Sequence, residues 1–211
     1  AESGEWRAES REGKEEGAGM PSLDKPSRII LDAAKYYADN VERKFQQAAF
    51  HPDGDPAKAA CVFLFSKMLR TFRAFAHLAE EGFTQEAEIL TRCNFEAIVD
   101  WRYIQQKPVE RGTRWMLYLN ACRSHSLRVQ RQLEKDCDKI HLEVPDQILT
   151  EISDAEAEFC KKYKIEKFNK QQNWAGRDVR ARAESVDIAN AKREGGLLHY
   201  YLVAYKLQSD I

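Results

Sequence analysis

The chain has 211 residues, with 33 basic and 34 acidic side chains, 43% hydrophobic content and a formal net charge of -1. That length suits one domain able to bury a substantial core. The near balance of charge excludes a histone-like blanket affinity for nucleic acid but leaves room for a local basic patch. No run of about 18 uncharged apolar residues is present, so no segment reads as a membrane-spanning helix.

Residues 1–19, AESGEWRAESREGKEEGAG, are acidic and glycine-rich, with Trp6 their only large apolar side chain. They lack the apolar stretch of a signal peptide. Lys14-Glu15-Glu16-Gly17 is encodable by AAG-GAG-GAG-GGN, which contains the bacterial ribosome-binding sequence GGAGG, and Met20 follows after a short spacer. The expectation is a non-native or disordered leader over 1–19 and a single helical domain over 20–211.

From Ser27 to about Phe50, Ile30, Ala34, Tyr37, Val41, Phe45 and Ala48 recur at steps of three and four, which predicts one helix with that face inward. Ser27 can cap it, or Pro26 can mark its first turn. The turn residues His51-Pro52-Asp53-Gly54-Asp55-Pro56 end it. A second helix is expected from Pro56 to Glu80, striped by Cys61, Phe65, Met68, Phe72, Phe75 and Ala79 and closed by Gly82. Thr84 can cap a third, with Leu90, Cys93, Ala97, Trp101 and Ile104 inward, ending before Pro108. A fourth is expected from Val109 to about Cys137, with Trp115, Leu119, Cys122, Val129 and Leu133 inward.

Pro145 can open a fifth helix striped by Ile148, Ile152, Ala155, Phe159 and Tyr163. After an irregular stretch from Lys164 to Gly176, two more are expected, from about Asp178 and from Gly196 onward. Val and Thr are sparse, so little favours sheet. The fold class is therefore all-α, a single bundle of six to seven helices with long antiparallel members.

Residues 161–182 carry eight basic side chains, Lys161, Lys162, Lys164, Lys167, Lys170, Arg177, Arg180 and Arg182, interleaved with Tyr163, Phe168 and Trp174. Cations with stacking aromatics are what single-stranded nucleic acid requires, so Lys161, Lys162, Lys164, Lys167, Lys170 and Trp174 are candidate RNA contacts. The alternative is a solvated connector whose aromatics anchor it to the core. Arg92, Glu96 and Asp100 stand four apart on the third helix and form a polar ladder beside its apolar stripe, either an exposed salt-bridge ladder or a buried acid with an arginine partner.

Metal and cofactor chemistry find no support: HExxH, ferritin-like Glu-x-x-His, Walker A, GxGxxG and GxSxG patterns are all missing, and no cofactor is expected. His51, Asp53 and Asp55 cluster in turn chemistry. Cys61, Cys93, Cys122, Cys137 and Cys160 form no CxxC pair and suit reduced, mostly buried thiols in a cytoplasm. Helical ribonucleases of the HEPN type use an Arg, then four to six residues, then a His. Arg70 with His77 and Arg193 with His199 fit, but 17 Arg and five His produce such matches by chance, and His77 is expected to be partly buried.

More specific is Asn173-Trp174-Ala175-Gly176-Arg177-Asp178-Val179-Arg180, followed by Tyr201-x-x-x-Tyr205-x-x-x-Ser209. This resembles an uncharacterised bacterial domain-of-unknown-function family, numbered five-six-seven-seven, over roughly Ile29 to the end. Arg92-x-x-x-Glu96 fits its upstream helix. In that pattern the residue at Asp178 is often small and hydroxylated, and a histidine falls four residues after Ser209, beyond Ile211, so a C-terminal truncation is expected. The resemblance implies no reaction. It implies that Arg92, Glu96, Trp174, Arg180, Tyr201, Tyr205 and Ser209 share a polar cluster, with Gly176 permitting a tight turn and Arg180 reaching Glu96. The expected role is a bacterial, cytoplasmic interaction or sensing module with an unidentified protein partner. The alternatives are a HEPN-like metal-independent ribonuclease and a nucleic-acid-binding accessory domain that contacts RNA through 161–182.

Overall fold

The computed structural model describes residues 25–47, 54–136, 154–169, 173–190 and 196–202. Among them are seven helices and no strand: α1 (Lys25–Gln47), α2 (Pro56–Glu80), α3 (Thr84–Gln106), α4 (Pro108–Asp136), α5 (Ala155–Tyr163), α6 (Val179–Ala189) and α7 (Leu197–Tyr200). The expected leader, Met20, Cys137, the stretch from Pro145 to Ile152, Lys170, Tyr205 and Ser209 lie outside the described residues. No helix among the described residues is long and apolar enough to cross a membrane.

Local chemistry explains the boundaries. Asp55 caps α2, its carboxylate accepting from the N–H of Ala57 at 2.8 Å, and Pro56 takes the first position, where a missing N–H costs nothing. The helix closes in a Schellman arrangement. Gly82 adopts φ +81, its N–H donates to Ala79 O, and Phe83 N–H donates to Leu78 O at 2.9 Å. Thr84 is the first residue of α3 rather than its cap; Phe83 holds the cap position and offers no side-chain acceptor. At the other end, Pro108 starts α4 after Lys107 alone. Lys25 opens the described part of α1, so Pro26 and Ser27 both fall in its first turn.

Helix α2 is the centre. It packs most extensively on α3 and also carries α4 and α1; α5 rests on α4, α6 on α3 and α7 on α6. One cluster joins Ala57, Ala60, Leu64, Ala97, Tyr103, Ile104, Trp115, Trp174 and Val186, and Phe63 meets Trp115 at 5.4 Å. A smaller one holds Ala121, Phe159 and Phe168. Gly112 lets α4 approach α2 closely: a Cβ there would lie 2.6 Å from Ala57 Cα.

The apolar stripes are rotated from expectation in two places. On α1, Leu31 and Ala38 are buried, whereas Ile30 and Tyr37 face outward. Aromatic and aliphatic residues occupy both sides of α1, so periodicity alone does not choose between them. On α4, Trp115 is buried but Val129 and Leu133 are exposed. On α2 the fully covered positions are Ala57, Ala60, Leu64 and Ala76, because neighbours close on it from three sides. Its expected stripe, Cys61 to Ala79, is half-buried.

Candidate functional site

The stretch before α6 is built around Trp174. Asn173 makes an Asx turn, its side-chain oxygen accepting from Ala175 N–H at 3.0 Å, and its backbone carbonyl accepts from Gly176 N–H at 3.0 Å. Gly176 adopts φ +66, the tight turn expected of it, and a Cβ there would also press on the Arg114 guanidinium. Asp178 then caps α6, accepting from Ala181 N–H at 2.7 Å. A hydroxylated residue would serve the same purpose, so the carboxylate at this position keeps the chemistry of the cap.

This cap sets the register of α6 and drives Arg182, only 2% exposed, into the core. Its Nε lies 2.9 Å from Asp100 Oδ1 on α3, its Nη1 donates to Arg177 O at 2.7 Å, and its guanidinium carbon is 6.0 Å from the Trp174 ring. Burial pushes the Asp100 carboxyl up to about 6; Arg182 and the Trp174 indole N–H pull against that rise, Glu96 adds to it, and Lys67 opposes it. The Asp100 side chain is 14% exposed, so the pair is closed to solvent on most sides.

The expected buried pair between Arg180 and Glu96 is therefore replaced by Arg182 and Asp100. Two residues along a helix turn the side chain by about 200°, so Arg180 is exposed where Arg182 is buried. Arg92, Glu96 and Tyr201 are half-buried and Trp174 is buried, while Tyr205 and Ser209 lie outside the described residues. Sequence reasoning missed Arg182 as the partner, although Val179, Arg182 and Val186 follow the same three-and-four spacing as any apolar stripe. It also missed a second tie: Gln106 donates to Ser185 O at 2.9 Å, and Arg111 donates to Gln106 Oε1 at 2.6 Å while stacking on Tyr103. Both sets fasten α6 to α3. They do so at the level of the core, the Arg182–Asp100 contact as an ion pair and the Gln106–Ser185 contact as a hydrogen bond.

The basic segment divides in two. Lys161, Lys162, Lys164 and Lys167 are exposed. Its aromatics, by contrast, belong to the core. Phe168 packs edge-on to Phe159, Trp174 edge-on to Tyr103, and the half-buried Tyr163 lies under Arg114 at 4.5 Å. The expectation that Trp174 stacks on a base is corrected on this ground: its faces are already occupied. Nearby, Glu156 on α5 accepts from Arg128 on α4 at 2.9 Å, and His125 Nδ1 lies 3.1 Å from the same guanidinium. Arg70, His77 and His199 are exposed, so His77 is not the partly buried residue expected, and Arg193 lies outside the described residues. No group of three metal-ligating side chains forms among the described residues.

Among the described residues, four large apolar side chains are exposed on α1. Ile29, Ile30, Tyr36 and Tyr37 are 59%, 70%, 73% and 71% exposed. The opposite side of the same helix holds it to α2 through Leu31 and Ala38, the Phe45–Phe65 ring contact, and the ion pairs of Lys35 with Glu80 and Arg73 with Asp39.

A family model, Family of unknown function (DUF5677), matches residues 58–211. It therefore takes in α2 to α7 and leaves out α1, so the likeness starts later than the expected Ile29. Neither the curated proteins nor the solved structures contain a match.

Proposed function

The chain belongs to the family of unknown function DUF5677, which brings no reaction with it, and from the geometry we propose that it is a helical interaction module docking through the outward side of α1. The observation that carries this reading is the exposure of Ile29, Ile30, Tyr36 and Tyr37 together on one helix face. A contiguous patch of large apolar side chains raises the free energy of an isolated protein in water, and covering it is the usual reason for its retention. The buried polar cluster supports the same reading from the other side, because Arg182 and Asp100 hold helices together rather than facing a substrate. Free thiols at Cys61, Cys93, Cys122 and Cys160 support a reducing compartment such as a bacterial cytoplasm.

A photo-crosslinking amino acid in place of Tyr37, with a control in place of the exposed Glu88 on α3, tests the docking face in the cells that make the protein. A covalent adduct of defined mass at position 37 and none at 88 is the expected result. Absence of any adduct at 37 rejects the module reading.

One observation favours a second reading. The four lysines at 161, 162, 164 and 167 are all exposed on α5 and the turn after it. They suit an RNA backbone contacted through phosphates, since Phe168 and Trp174 are buried and Tyr163 is half-buried under Arg114. Filter binding across a salt series checks this. Affinity that falls steeply with salt and drops in a Lys161→Gln/Lys162→Gln variant is expected, and unchanged binding sinks it.

A further inference from the structure

The exposed face of α1 has an internal symmetry. Ile29 and Ile30 stand four and three residues before Ala33, and Tyr36 and Tyr37 stand three and four after it. At 3.6 residues per turn these five positions fill one arc about 120° wide, centred on Ala33. All five are exposed, and the arc points away from Leu31 and Ala38, which seat α1 on α2.

Such an arrangement is complementary to itself. When two copies of α1 cross antiparallel at Ala33, the isoleucine pair of one lies level with the tyrosine pair of the other. Because positions three before and three after the centre lean to opposite sides of the arc, the side chains of the two copies interleave instead of colliding. The small Ala33 at the crossing permits an interaxial distance near the short end of the usual 8–10 Å range. A two-fold axis through that point makes the contact isologous, the commonest closed symmetry for soluble oligomers.

The area is adequate. A tyrosine exposed to this degree offers about 150 Å², and with the isoleucines two copies bury on the order of 1,000 Å² in total, near the lower bound for a specific interface. Edge-on Tyr contacts with aliphatic neighbours suit the centre of such a patch, where large rigid side chains carry most of the binding.

We propose that the partner of the α1 face is a second copy of this chain, forming an antiparallel α1–α1 dimer centred on Ala33. This rests on the reading of α1 as the docking element and names its occupant. The size class predicts micromolar self-association.

Sedimentation equilibrium on the full chain, from a few to several hundred micromolar, reads the mass directly. Wild type is expected to move from 24.4 kDa toward twice that value as concentration rises. Ala33→Glu, which sets two charges against each other at the crossing, is expected to raise the dissociation constant at least tenfold. Ile188→Glu, a change at a large exposed apolar residue on α6, is expected to leave it unchanged. All three chains should keep the same far-ultraviolet circular dichroism, since Ala33 and Ile188 are both exposed. Ala33→Cys under mild oxidant is expected to give a covalent dimer that wild type, with its own five cysteines, does not form.

A wild-type monomer at every concentration, with no Ala33→Cys dimer, overturns the homodimer. If the crosslinker at position 37 still captures a different protein, docking through α1 survives and only the second copy falls. If it captures nothing, both readings fall together.

Discussion

The guanidinium of Arg182 meets the Asp100 carboxylate at 2.9 Å inside the helical core, joining α6 to α3 with its carbon 6.0 Å from the centroid of the Trp174 ring. The two partners are not equivalent. Burial costs the carboxylate more than its cation returns, which is why its pKa rises to about 6 despite the arginine. The pair therefore fixes where α6 docks while adding little net stability at neutral pH.

Arg182→Met should be the more damaging single change. It leaves the Asp100 carboxylate buried without its cation, a situation that costs about 3–5 kcal/mol when a buried pair loses one member. Asp100→Asn in the same background should recover most of that loss, because no charge then remains to be solvated. Urea midpoints for wild type, the single variant and the double variant at pH 7.5 check the asymmetry. A double variant as unstable as Arg182→Met alone would mean that packing, not charge, holds this contact.

The pH dependence follows from the same residue. Asp100 has an ordinary carboxyl pKa near 3.8 when unfolded and about 6 when folded, so the folded state holds its proton more tightly. The stability this group contributes is fully present below pH 3.8 and is lost as pH rises through about 6. Asp100→Asn cannot titrate. The stability of that variant relative to wild type should therefore increase between pH 4.5 and 7 and level off above it, with other titrations cancelling in the difference. A flat difference across that window would show that Asp100 keeps an ordinary pKa in the fold.

The helices were legible because their ends are written in residues with narrow backbone chemistry: Pro56 and Asp55 at the start of α2, Gly82 at its close, Pro108 at the start of α4, and Asp178 ahead of α6. Their facing was less so. Ile30 and Tyr37 read as core on α1 because the outward arc is as apolar as the inward one, and a one-dimensional pattern cannot say which of two such faces meets a neighbour. Arg182 shares the three-and-four spacing of Val179 and Val186, but a charged side chain is not read as part of an apolar stripe, and so Arg180 reads as the partner. Trp174 read as a stacking platform because the same ring chemistry suits a base or a core, and only burial separates the two.

Gly112→Ala should destabilise the protein even though alanine is the better helix former by about 1 kcal/mol. The added Cβ would lie 2.6 Å from Ala57 Cα and 2.8 Å from Ala57 N, atoms that cannot move aside without displacing α2. Overpacking of this kind costs about 1–3 kcal/mol, so the net change should be a loss. Ala57→Gly should relieve part of it in combination. Thermal melts of both single variants and the pair check the result, and a raised melting temperature for Gly112→Ala alone would contradict the close approach of α2 and α4.

Asp187 does for α7 what a cap usually does from within the same helix. Its carboxylate, carried on α6, accepts from Leu197 N–H at 2.9 Å and from Leu198 N–H at 2.7 Å, and it fills the space a Cβ on Gly196 would need. These are the first backbone donors of α7 and have no carbonyl of their own helix to satisfy them. Asp187→Ala should free both, at a cost of about 0.5–2 kcal/mol, and loosen α7 from α6 while α2, α3 and α4 stay as they are. Amide hydrogen exchange separates these effects. The amides of Leu197 and Leu198 should exchange about tenfold faster while those of the central helices keep their protection, as local opening requires. Asp187→Asn, which keeps one acceptor oxygen, should fall between wild type and alanine. Equal protection of Leu197 and Leu198 in all three chains would show that α7 is held by its apolar contacts, Leu197 against the core, rather than by this carboxylate.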